Sequence, residues 1–200
     1  ATENLILTSV LGKKNLTLKN AASEPHVQDL CNLLIQMGAK ISGIGTDTLK
    51  IVGVSNLHGT EFRIGSDYIG VATYAVASFI TGGSIKIICD PNLELEPITV
   101  ALEKFGLKLA KLNDGFGVDS AKITATPKVV TNIWPGFPTD LMSAVIVLAT
   151  QAKGITLCHD WMYESRMFFV DKLISMGANI TIADPHRVLV YGLSKLHGRV

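Results

Sequence analysis

Apolar residues along this chain come in short, regular bursts, and the order of those bursts repeats. The run Leu34-Ile35-Gln36-Met37-Gly38-Ala39-Lys40-Ile41 returns as Leu173-Ile174-Ser175-Met176-Gly177-Ala178-Asn179-Ile180, and the same offset carries Gly53 onto Gly192 and Leu57-His58-Gly59 onto Leu196-His197-Gly198. A weaker copy, Leu102-Glu103-Lys104-Phe105-Gly106-Leu107-Lys108-Leu109, lies between them, so the chain is three units of about 70 residues. In each unit a helical spacing of apolar positions comes first, over 2–11, 67–80 and 139–152. A short strand follows, over 16–19, 85–89 and 155–158. A second helix, over 27–37, 97–105 and 164–176, stops at Gly38, Gly106 or Gly177, where a left-handed C-cap is cheapest in glycine. Two strands joined by a polar turn close the unit, 39–42 with 49–52 and 179–182 with 188–191.

The pattern therefore predicts α-β-α-β-β units in an α/β fold. It is not a Rossmann array, because the paired strands at the end of each unit turn back on each other. Stacked units of this size share a core rather than each burying its own.

Composition narrows the reading. The 200 residues carry 18 Lys+Arg against 17 Asp+Glu, a net charge of +1, and no basic stripe, which argues against a nucleic-acid partner. Mean hydropathy is +0.35, yet no apolar stretch approaches the ~18 residues of a membrane-spanning helix. With 6% aromatic residues, the core is expected to be aliphatic. Cys31, Cys89 and Cys158 form no Cys-x-x-Cys pair and leave an odd count, which favours a reducing, cytoplasmic setting with buried thiols.

Local motifs separate into bland and informative ones. Gly43-Ile44-Gly45 lacks the helix that a dinucleotide fingerprint needs directly after its glycines, so it reads as a hairpin turn, as does Gly115-Phe116-Gly117. His58 and His197 occupy equivalent places before a glycine and read as turn or capping residues. No histidine or cysteine spacing suits a metal, and no cofactor is implied. Trp134-Pro135-Gly136-Phe137-Pro138-Thr139-Asp140 differs in kind: two prolines stiffen the approach to a helix that opens on an acid. Simple capping, with Thr139 as the cap, competes with a functional role for Asp140, as Ser66-Asp67 opens the equivalent helix one unit earlier. His159-Asp160-Trp161-Met162-Tyr163-Glu164-Ser165-Arg166 follows a strand and reads either as a surface charge pair or as a companion to Asp140 at one edge of the sheet.

Taken together, Pro135-Gly136-Phe137-Pro138-Thr139-Asp140-Leu141, Tyr163-Glu164-Ser165-Arg166-Met167, the run from Leu173 to Ala178, and Asn20-Ala21-Ala22-Ser23-Glu24-Pro25 followed by Met37 to Gly43 and Gly45-Thr46-Asp47 resemble the UDP-N-acetylglucosamine enolpyruvyl transferases of peptidoglycan synthesis. The anchors occur in order over the whole chain. The resemblance implies an inside-out α/β barrel-like architecture of six units, of which three are present, with 1–65 belonging to one domain and 66–200 to the other. It implies transfer of the enolpyruvyl group of phosphoenolpyruvate to the sugar 3-hydroxyl of UDP-N-acetylglucosamine, with release of phosphate. By the same resemblance Asp140 is the base at that hydroxyl and a substrate contact, Met162 a second substrate contact, and Arg166 the cation at the cleft. Ser165 stands where the family commonly has Asn, and Tyr68 and Gly70 replace an Arg and a Glu. The family's Lys-Asn pair, its reactive-cysteine loop and its later arginines are expected in further segments of the same enzyme, leaving these 200 residues inactive alone. The alternative from another class is a noncatalytic fragment or paralogue serving as a sugar-nucleotide-binding or structural module.

Overall fold

A computed structural model describes residues 1–119 and 121–198. The chain divides into two compact units, Ala1–Ser66 and Asp67–Val200, the last two residues of the second lying outside the described residues.

In the first unit, helices α1 (Thr2–Ser9) and α2 (Pro25–Gln36) cover an antiparallel sheet of β1 (Leu16–Lys19), β2 (Lys40–Ser42) and β3 (Thr48–Val52) in the order β1-β3-β2. Side chains alternate along β3, where Leu49 and Ile51 turn inward. They meet Ile6, Val27, Cys31 and Leu34 in a core without aromatic rings. Fully burying an aliphatic side chain of this size contributes about 1.5–3 kcal/mol. Gly43 and Gly45 lie in the β2–β3 turn, as the sequence predicts.

The second unit opens with α3 (Tyr68–Ile80), β4 (Ile85–Ile88), α4 (Glu96–Glu103), β5 (Ala110–Leu112) and β6 (Gly115–Val118), whose strands pair antiparallel in the order β4-β6-β5. It continues with β7 (Lys128–Val130), α5 (Met142–Thr150), β8 (Gly154–His159), α6 (Val170–Ser175), β9 (Asn179–Asp184) and β10 (Arg187–Gly192). These last strands form a sheet ordered β7-β8-β10-β9, in which β7 runs parallel to β8. Helix α5 is apolar nearly all round and buried along most of its length, and α3 packs against it while leaving Thr73, Tyr74 and Ala77 exposed. Among the described residues no helix is long and apolar enough to cross a membrane.

The repeat has a physical basis at its helix ends. Gly38, Gly106 and Gly177 have φ of +101°, +93° and +102°. In each copy the glycine N–H and the next N–H reach back to carbonyls three and five residues upstream, as in Ala39 to Leu34, Leu107 to Leu102 and Ala178 to Leu173, which is the Schellman closure. The His58 and His197 backbone N–H groups then donate to the Met37 and Met176 carbonyls, giving both histidines the structural role read from their position. Gly53 and Gly192 are a second shared requirement: a Cβ on either would sit 1.7 Å or 1.8 Å from the carbonyl oxygen of Gly12 or Ala152. Only glycine lets that strand end pass the turn following the helix.

Several sequence expectations need correction. Gly115-Phe116-Gly117 lies inside β6, and the turn falls at Asn113-Asp114. The predicted helix over 164–176 divides into a 3-10 segment, Glu164–Phe169, and the shorter α6. A parallel strand, β7, precedes the third unit. Cys31 and Cys158 are buried as expected, whereas Cys89 is only half-buried. Burial raises the Cys158 thiol to about 12, so it stays protonated and inert.

Candidate active site

The parallel strands β7 and β8 end side by side, and the loops leaving them build the site. Open α/β sheets place ligands beyond the carboxyl ends of such strands. Beyond β7 the ladder continues for one bond, Thr131 N–H to the His159 carbonyl at 3.0 Å. The chain then folds over itself, with Asn132 N–H on the Phe137 carbonyl at 2.9 Å and Gly136 N–H on Ile133 at 2.7 Å. Trp134 and Phe137 bury their rings, Trp134 at 5.4 Å from Tyr68. The Pro-Gly-Phe-Pro segment is thus a rigid arm pinned to the core by two aromatic rings, and the 3-10 turn Thr139–Leu141 stands at its end.

Capping does not account for this arm. Asp67 caps α3 directly, its Oδ1 accepting from Ile69 N–H at 2.9 Å. Thr139 makes no cap bond; the N-cap position of the turn is Pro138, without a side-chain acceptor. Asp140 instead accepts from Arg166 Nη2 at 2.7 Å through Oδ1, although 26 positions separate them. The side chains of Arg166 and Asp140 are 34% and 57% exposed, so a substrate can reach both. The Arg166 guanidinium also lies 5.2 Å from the centre of the Tyr163 ring, a cation-π contact that fixes its direction. Met162 is half-buried in the same loop, its N–H bonded to Asp160 Oδ1 at 3.0 Å. All three predicted site residues therefore gather at one sheet edge.

This contrast carries a stability prediction. Asp67→Ala should destabilise the second unit by about 1 kcal/mol, the usual cost of a lost cap. Asp140→Ala removes only an exposed ion pair and should cost at most about 1 kcal/mol and as little as nothing. Urea denaturation of the 200-residue chain compares the two.

Asp160 is the residue that sequence reading missed. It sits beside His159 and Trp161 like part of a surface charge pair, yet it is 0% exposed. Its carboxylate accepts from Thr131 Oγ1 at 3.0 Å, from Thr139 Oγ1 and from Met162 N–H. Trp161 Nε1 donates to the Thr131 carbonyl at 2.7 Å, tying the two loops together. On the opposite side His186 brackets the Asp160 backbone, its carbonyl accepting from Asp160 N–H and its Nδ1 lying 2.7 Å from the Asp160 carbonyl oxygen.

At the same strand end, His159 has its ring pKa lowered from the ordinary 6.5, first by loss of hydration, then by the charges of Lys128 and Arg187; His186 adds to the lowering and Asp184 opposes it. The folded protein takes up this proton less readily than the unfolded chain. Its contribution is therefore intact above pH 6.5 and is lost as pH falls below that value toward the folded pKa. Asp184 and Asp114, held low by hydrogen bonds from Arg187 and Lys86, lose theirs only as pH falls past the ordinary 3.8. The Tm of the chain should fall between about pH 7 and about pH 5, and His159→Gln should flatten that slope.

A groove of about 770 Å³ lies between α4 and β7, lined among others by Glu96, Lys104, Lys128, Val130 and Phe137. It touches the Pro-Gly-Phe arm but neither Asp140 nor Arg166. Among the described residues no group of three or more His, Cys, Asp or Glu side chains is placed to hold a metal.

This architecture is that of the enolpyruvyl transferases. The enolpyruvyl transferase NikO from Streptomyces tendae superimposes with a TM-score of 0.84 over 98% of this chain and 47% of its own, at 20% identity. EPSP synthase from Acinetobacter baumannii gives 0.52 over 98% and 46%, at 13% identity. Residues 1–199 match the family described as EPSP synthase (3-phosphoshikimate 1-carboxyvinyltransferase), and the chain belongs to that family. Among curated relatives, the UDP-N-acetylglucosamine 1-carboxyvinyltransferases of Treponema denticola and Treponema pallidum are 46% and 45% identical over 99% of this chain and 48% of their own length. The chain spans about half the length of these relatives.

Proposed function

We propose that these residues form part of an enzyme that transfers the enolpyruvyl group of phosphoenolpyruvate to the 3-hydroxyl of UDP-N-acetylglucosamine, a step of peptidoglycan synthesis. The units Ala1–Ser66 and Asp67–Val200 contribute to its two different domains. The observation that carries the reading is the Asp140–Arg166 pair, held at the end of a stiff arm and open to solvent.

Arg166 engages Oδ1 of Asp140, leaving Oδ2 to accept the proton of a sugar hydroxyl. A base needs hydrogen-bond reach to its proton before its pKa matters. As that proton leaves, the sugar oxygen bonds to C2 of phosphoenolpyruvate while C3 takes a proton from an acid that the rest of the enzyme supplies, giving a tetrahedral intermediate. Elimination then breaks the bond from C2 to the phosphate oxygen and returns a proton from C3, restoring the double bond. Arg166 offers a fixed cation where negative charge accumulates on phosphate or carboxylate oxygens. Met162 supplies an apolar contact to the sugar nucleotide.

The catalytic side chains here come from one side of the reaction only. The isolated 200 residues are therefore expected to release no phosphate from phosphoenolpyruvate and UDP-N-acetylglucosamine, while the complete transferase carrying them does. A colorimetric phosphate assay on both decides this, and turnover by the isolated chain contradicts it.

A further inference from the structure

Asp160 is itself fully buried, yet it binds both loops that carry the candidate site. A buried carboxylate loses several kcal/mol of hydration, which only well-placed donors offset, and an apolar side chain of similar volume is often at least as stabilising. What the carboxylate supplies here is geometry. Its backbone is fixed on one side by His186 through two hydrogen bonds. On the other, Oδ2 receives the Thr139 hydroxyl, and Oδ1 receives both the Thr131 hydroxyl and the Met162 N–H. Thr139 directly precedes Asp140, and Met162 begins the segment that leads to Arg166.

We propose that Asp160 is a positioning residue of the transferase site: through the Thr139 hydroxyl it sets the direction in which Asp140 is presented, and through the Met162 amide it sets the start of the loop that brings Arg166 to Asp140. The inference rests on the reading of Asp140 as the base. Pro138 has its φ at -70° and limits how the arm enters, but the rotation of the short 3-10 turn after it depends on the tether at Thr139. A misplacement of about 1 Å at a reacting group costs on the order of 10²-fold in rate, so a modest rotation of that turn is enough to slow proton transfer without altering substrate affinity.

The test uses the complete transferase carrying these residues. Asp160→Ala removes all three hydrogen bonds to the carboxylate and should lower both Tm and kcat, but an unfolded variant gives the same reading. The deciding pair is Thr139→Val, which keeps the shape of the side chain and deletes its hydroxyl, and Thr139→Ser, which restores the hydroxyl. With kcat referred to folded protein, Thr139→Val is expected to lose about tenfold or more while KM for both substrates stays within about threefold, and Thr139→Ser is expected to recover most of the loss. A merely structural bond would lower Tm and leave that kcat unchanged. If Thr139→Val keeps the parental kcat while Asp140→Ala is inactive, the positioning role is overturned and the base survives. If Asp140→Ala itself keeps parental turnover, the reading of the base falls and this inference falls with it.

Discussion

In the complete transferase, Asp140→Ala is expected to lower kcat by about 10²–10⁴-fold, the range that a positioned general base contributes, with little change in Tm. Both halves of that expectation come from the geometry. Asp140 makes no helix cap, in contrast to Asp67; among the described residues its carboxylate is bonded to Arg166, and its side chain is largely exposed. Removing it should therefore leave α5 and the arm before it in place. Asp140→Asn is the sharper variant, since it keeps an oxygen for Arg166 and lacks only the ability to take a proton. Steady-state phosphate release with thermal melts of each variant separates the two effects. A variant with parental turnover returns Asp140 to a structural role.

The second large effect is expected at Arg166. Arg166→Ala deletes the partner of Asp140 and a fixed cation together, and should reduce kcat/KM by about 10²–10³-fold, comparable to losing one electrostatic stabiliser of a charged transition state. Arg166→Lys should recover only part of this. The ammonium keeps the charge but lacks the planar group that lies at the face of Tyr163 and directs an N–H at Asp140. If Arg166 serves only to hold Asp140, its removal should affect kcat alone. A rise in KM for phosphoenolpyruvate as well marks direct contact with that substrate. Equal activity of the Ala, Lys and parental proteins contradicts a role at the site.

Much of the fold is legible in the sequence because the repeat signals are local. The glycines at 38, 106 and 177 announce helix ends, and the Gly53 and Gly192 match marks a close backbone approach that no other residue tolerates. β7 is harder to read: Lys128–Val130 is too short to display an alternation, and its pairing with β8 depends on a partner across a long connection. The break at Phe169 is hidden because 3-10 and α segments share nearly the same apolar spacing over two turns. At the site, Asp140 and Arg166 stand out through their motifs. Asp160 does not, because an acid beside His and Trp has the look of a surface residue, and its donors Thr131 and Thr139 lie 29 and 21 positions away. Only the fold reveals that three hydroxyl or amide donors converge on one buried carboxylate.

The central claim is that these residues belong to a working enolpyruvyl transferase and not to a noncatalytic relative. The most direct test incubates the complete protein with phosphoenolpyruvate and UDP-N-acetylglucosamine and follows the sugar nucleotide by mass spectrometry. The account predicts that the sugar nucleotide gains the mass of one carboxyvinyl group less the hydroxyl hydrogen it replaces, with one phosphate released per product, and that Asp140→Ala slows both by about 10²–10⁴-fold. A folded complete protein that binds the sugar nucleotide but leaves its mass unchanged would contradict it.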